Sequence, residues 1–154
     1  MVKEIWKKLP YKHFSDVYEV SNKGAIRSIA REVTVYPKDG KNYKKKLKSR
    51  LVAFRTNGNS PHQFTSISIN DGMEKISMSV YPHKAVALAF IPGVDVKNLV
   101  SHVSEDYTDN SVENLFWSSK SDVSKRNMKK YPEMVKKLVN GRHEWLKNKA
   151  NDIK

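Results

Sequence analysis

The sequence predicts an α+β chain of small antiparallel β-hairpins, followed by a strand–strand–helix finger and a basic helical C-terminal tail. Three observations predict it. Apolar residues alternate around turn sequences in three successive stretches before residue 82, the pattern of half-buried strands. A polar loop separates two short apolar runs, Leu99 to His102 and Leu115 to Ser118. From Lys125 onward, lysine and arginine recur at helical spacing beside Met134, Leu138 and Trp145.

The first stretch, 4–29, carries Trp6 and then Asp16-Val17-Tyr18-Glu19-Val20 and Ala25-Ile26-Arg27-Ser28-Ile29 on either side of Asn22-Lys23-Gly24. An Asn-x-Gly turn between alternating arms is a hairpin signal. Tyr18, Val20, Ile26 and Ile29 are expected in a small core, which leaves Arg27 available to phosphate. The second pair, Glu32 to Tyr36 and Tyr43 to Val52, flanks Pro37-Lys38-Asp39-Gly40. Its second arm holds Lys44, Lys45, Lys46, Lys48 and Arg50, charge on both faces of a strand. That run fits either a solvated edge that resists aggregation or an arm that contacts phosphate. In the third pair, Gln63 to Ile69 and Lys75 to Tyr81 around Asn70-Asp71-Gly72, period two buries Ile67, Ile69, Ile76, Met78 and Val80. The same period puts Ser66, Ser68, Ser77 and Ser79 on a wet face.

Pro82-His83-Lys84-Ala85-Val86-Ala87-Leu88-Ala89-Phe90 reads as a short helix stopped at Pro92-Gly93. After the finger's two strands, Ser119 or Ser121 can cap a helix with Asp122 at its positive end. A further helix is expected over Met134 to Trp145, interrupted at Asn140-Gly141.

With 154 residues and a formal net charge of +13, the chain is expected to form one domain or two very small ones. The excess of Lys and Arg favours a polyanionic partner, because each phosphate neutralised releases counterion. The same balance would suit a membrane-surface or ribosomal protein. No run of 18 apolar residues occurs, and Met1-Val2-Lys3-Glu4-Ile5-Trp6 lacks the apolar core of a signal peptide. The expected location is cytoplasmic, with no membrane partner. Without cysteine there is no disulfide or thiolate zinc site, so a catalytic metal would need oxygen and nitrogen ligands.

Two signatures carry a resemblance. Trp6 followed by Tyr18-x-Val20-Ser21-Asn22-x-Gly24-x-Ile26-Arg27-Ser28 is similar to the nuclease-associated modular DNA-binding motif. Residues 99–123, led by the His83-Lys84 helix, resemble the ββα-metal finger of phage-type HNH homing endonucleases. The resemblance implies a DNA-binding β module at 1–60, an HNH-like domain at 61–130 and a basic tail at 131–154. It also implies that His102 is the general base and that Asn114 braces the loop between the strands. Mg2+ or Mn2+ would be held from the residue before the histidine and from a residue six positions after the tryptophan.

Those last two positions are Ser101 and Val123. A serine hydroxyl is a weak neutral ligand and an isopropyl group is none, whereas Mg2+ requires hard oxygen donors. Asp122 is adjacent, but neighbouring helical residues point about 100° apart, and Asn127 lies about 6 Å further along the axis. The leading expectation is therefore a double-stranded DNA-binding protein of this type with weakened or lost nuclease activity. Arg27, Lys44, Lys45, Lys46, Lys48, Arg50, Lys84, Lys125, Arg126, Lys129 and Lys130 are its candidate DNA contacts. The alternatives are an active metal-dependent nickase using His102, and a basic RNA- or ribosome-associated protein. Oligomeric state and target sequence are left open.

Overall fold

The computed structural model describes residues 3–38, 40–58, 60–70, 74–93, 99–133, 136–137 and 140. Its backbone contacts form two units, one of residues 1–96 with 100–117 and one of 97–99 with 118–154. The hairpins before residue 82 and most of both finger strands fall in the first unit. Most of the helix expected over Met134 to Trp145 lies outside the described residues.

In the first unit, β1 (Trp6–Lys8), β2 (Tyr18–Ser21), β3 (Ile26–Ser28) and β6 (Arg50–Leu51) form an antiparallel sheet in the order β1-β2-β3-β6. Asn22 to Ala25 make the tight connection, and Gly24 there takes a φ of +91° that L side chains rarely adopt. Next, β4 (Arg31–Val35) pairs with β5 (Tyr43–Leu47). The second arm expected as one run to Val52 therefore breaks after Leu47, and its end joins the first sheet through Arg27 opposite Leu51.

A third sheet takes β7 (Arg55–Asn57), β8 (Ser60–Asn70) and β9 (Lys75–Val80) in that order. Its register sets Ile67 against Met78 and Ile69 against Ile76, so the expected apolar face exists and the four serines lie exposed on the other. Helix α1 (Pro82–Phe90) follows, with proline in its first turn, where an unbonded N–H is not missed. It buries Ala85, Val86 and Ala87 completely. These join Leu9, Phe14, Val20, Ile26, Ile67, Val80 and Leu115 in one core, so the first hairpin, the third sheet, α1 and the finger share an interior.

Strands β10 (Leu99–His102) and β11 (Leu115–Ser118) pair, linked by a loop that ends in a 3-10 turn over Val112–Asn114. Trp117 donates its indole N–H to the Ile91 carbonyl at 3.2 Å, which pins β11 to the end of α1.

In the second unit, α2 (Lys120–Lys130) starts on a capping box. Ser119 Oγ accepts from the Asp122 amide at 3.1 Å, and Asp122 Oδ2 accepts from the Ser119 amide at 3.1 Å. Lys129 and Lys130 fall in its last turn, the end that favours cations. Among the described residues no helix is long and apolar enough to cross a membrane.

Candidate nuclease-like site

The loop from Val103 to Asn114 is held by side chains. Asn114 is buried; its Oδ1 accepts from the Ser104 amide at 2.8 Å and its Nδ2 donates to the Asp109 carbonyl at 2.8 Å. Its own backbone carbonyl accepts from the Val103 amide at 2.8 Å. One asparagine thus ties both sides of the loop together.

Two loop carboxylates are engaged in the turn. Asp106 Oδ1 accepts from the Thr108 hydroxyl at 2.6 Å and its amide at 2.8 Å, and these bonds hold its pKa below the usual value. Asp109 Oδ1 accepts from the Ser111 amide at 3.0 Å.

His102 ends β10, only 6% exposed. Its Nε2 lies 3.2 Å from Asn110 Oδ1. Two further imidazoles crowd it, His62 from β8 at 5.7 Å between ring centres and His83 from α1 at 5.5 Å. The ring of Tyr107 sits edge-on to His102 at 5.3 Å and to His62 at 5.0 Å.

Burial pushes the pKa of His83 down to about 3, helped by repulsion from His62, His102 and Lys84. Burial and His102 also lower that of His62. Both are therefore neutral near pH 7, because burial disfavours the charged form of each. The Nδ1 atoms of all three histidines are buried without a hydrogen-bond partner.

Asp122 Oδ2, besides receiving the Ser119 amide, accepts from the Ser119 hydroxyl at 2.6 Å, so its carboxylate serves the cap. These bonds lower its pKa. Ser101 is buried on β10, and Val123 offers no donor atom. Among the described residues no group of three or more His, Cys, Asp or Glu could hold a metal ion. Neither Ser101 nor Val123 supplies a charged oxygen to a Mg2+ or Mn2+ ion, and the Asp122 carboxylate is engaged as a capping residue.

The basic candidates divide. Arg27, read as available to phosphate, is instead committed: its Nη2 meets Glu19 Oε2 at 2.7 Å and its guanidinium lies 4.0 Å above the Trp6 ring. Lys44 meets Glu32 at 3.0 Å with its side chain still largely exposed. Lys45, Lys46, Lys48, Arg50 and Lys84 lie at least partly open to solvent in the first unit, and Lys125, Arg126, Lys129 and Lys130 are exposed along α2 in the second.

Sequence reasoning missed His62, Gln63, Asn110 and Arg55. Arg55 lies over the Phe64 ring at 5.1 Å and donates to Ser66 at 3.1 Å, which places a cation on the serine face. The Glu19–Arg27 pair was open to discovery, since opposite charges equidistant from a hairpin turn fall directly across from each other.

Residues 4–53 match the model of the NUMOD4 motif. The structure is similar to that solved in work on DNA binding and cleavage by the HNH homing endonuclease I-HmuI, with a TM-score of 0.57 and 20% identity. That likeness covers 88% of this chain and 68% of the other. The protein carries a NUMOD4 motif on the HNH homing-endonuclease fold. No curated protein matches the sequence. The NUMOD4 motif holds the four-stranded sheet, the β4–β5 hairpin with its lysines, and the turn at Gly24. Its core residues Val20 and Ile26 belong to the same cluster as Leu115 of the finger.

Proposed function

We propose that this chain binds double-stranded DNA through its NUMOD4 motif and basic strands, and that phosphodiester hydrolysis at its HNH-like finger is weakened or lost. The observation that carries the reading is a split within the site. Asn110 meets the His102 imidazole and Asn114 spans its loop, whereas the positions expected to hold the metal are a neutral serine and a valine, and among the described residues no group of three or more His, Cys, Asp or Glu could hold a metal ion. Hydrolysis of a phosphodiester pairs an activated water with a cation that stabilises the leaving oxygen. His102 can hold the water's proton. Without the Lewis acid the transition state lacks several kcal/mol of stabilisation, and the reaction slows by orders of magnitude. The I-HmuI structure records DNA binding and cleavage for that enzyme, and the shared fold supports the binding half here.

The test is retention of a duplex over a salt series together with plasmid nicking in Mg2+, Mn2+ or chelator. Duplex is expected to be retained, with log K falling linearly in log salt. The slope should diminish by about 0.9 for each phosphate that Lys45→Ala or Lys46→Ala leaves without its lysine. Supercoiled plasmid is expected to stay intact. Metal-dependent nicking abolished by His102→Ala would overturn the inactive reading and establish the nickase, which the intact histidine seat favours. No retention at moderate salt would overturn DNA binding itself.

A further inference from the structure

We infer that Asn110 fixes the tautomer of His102: its side-chain carbonyl keeps hydrogen on Nε2 and leaves the lone pair on Nδ1. The argument begins with the orientation of the Asn110 amide. Its Nδ2 lies 3.1 Å from the Thr108 backbone carbonyl oxygen, an atom that can only accept, and 3.0 Å from Gln63 Oε1. The NH2 end must face these two oxygens, so Oδ1 is the atom turned to the imidazole, 3.2 Å from Nε2. An amide oxygen only accepts, and Nε2 therefore donates. In a neutral imidazole the remaining nitrogen then carries the lone pair. That nitrogen, Nδ1, has no hydrogen-bond partner of its own to compete for the choice.

The amide is itself held in place by the NUMOD4 turn. Asn110 is 3% exposed, and a Cβ added at Gly24 would stand 2.8 Å from Asn110 Cβ and 3.0 Å from its carbonyl oxygen. Two residues on, the Val112 amide donates to the Asn22 carbonyl at 2.8 Å. The hairpin turn at 22–24 is thus a wall of the imidazole's seat, and Gln63 of β8 closes the other side. Asn110 touches no reacting atom and is a positioning residue.

This inference rests on the reading of His102 as the base only for its consequence in hydrolysis. The tautomer is measured on the free full-length protein, so its failure is distinguishable from failure of DNA binding or nicking. In long-range nitrogen–proton correlation spectra at about pH 8.5, well above the ordinary histidine pKa, His102 is expected to show a protonated Nε2 and a bare Nδ1. In Asn110→Leu the two nitrogen shifts should move toward each other as both tautomers become populated. Hydrogen on Nδ1 in the wild-type protein would overturn the inference, as would an unchanged pattern in Asn110→Leu. Should Asn110→Leu fail to fold, Asn110→Ser, too short to span to Nε2, gives the same comparison.

Discussion

Replacing Gly24 with alanine tests whether the NUMOD4 turn and the finger are one packed body. Two costs apply there. The backbone sits at φ +91°, where an L residue with a Cβ is disfavoured by about 1–2 kcal/mol. The added methyl would also lie 2.8 Å from Asn110 Cβ and 3.0 Å from Asn110 O; the carbonyl is backbone, so it cannot swing aside. Overpacking of that kind costs about 1–3 kcal/mol. The sum, about 2–5 kcal/mol, is a large share of the stability of a small domain. Gly93 supplies the control. Its φ is +87°, but nothing lies within 4 Å of an added Cβ, so Gly93→Ala should show the backbone cost alone, about 1–2 kcal/mol. Urea unfolding of the full chain at constant m measures both. Gly24→Ala is expected to exceed Gly93→Ala by about 1–3 kcal/mol and to shift the amide resonances around Asn110. Equal losses, with the finger's resonances unmoved, would refute the close packing of turn on loop.

Two other outcomes are expected. The depressed pKa of His83 means that the folded chain binds fewer protons than the unfolded one between about pH 3 and the ordinary histidine value of 6.5, so this group's contribution falls as pH is lowered through that window. Unfolding free energy should drop between about pH 7.5 and 5, with a limiting slope of about 1.4 kcal/mol per unit from this residue, and His83→Gln should flatten the dependence. Ser119→Ala removes the hydroxyl that accepts from the Asp122 amide, so the first turn of α2 should be destabilised by about 1 kcal/mol, read as faster hydrogen exchange at Asp122 and Val123.

What could be read from sequence follows from how locally each feature is specified. Period two across Asn-x-Gly turns specifies a strand and its partner within a few residues, so the hairpin registers and the buried face of Ile67 and Val80 were legible. Pro82 and Pro92-Gly93 bracket α1 for the same reason, since each acts on its own turn of backbone. Pairings between distant segments carry no such local mark. The join of β6 to β3 and the approach of His62 to His102 depend on how separate hairpins pack, and neither residue pair has a spacing that announces it. Arg27 was misjudged because charge suggested a free cation, while its cross-strand neighbour Glu19 and the face of Trp6 both compete for the guanidinium.

The histidine cluster and its loop are held in shape by bonds that involve no ion. Most hydrogen bonds that place His102 and its loop run to backbone or amide groups: Asn110 to Thr108 and Gln63, Asn114 to Ser104 and Asp109. The core behind them is apolar, from Val86 and Leu115 to Val20 of the NUMOD4 motif. None of these bonds requires an ion to neutralise a buried charge, and His62 and His83 are held neutral by burial itself. A ring of carboxylates would repel itself open without a cation. A seat whose bonds run through amides, with His62 and His83 neutral beside it, has no such repulsion, so the orientation of His102 depends on no cation to hold it.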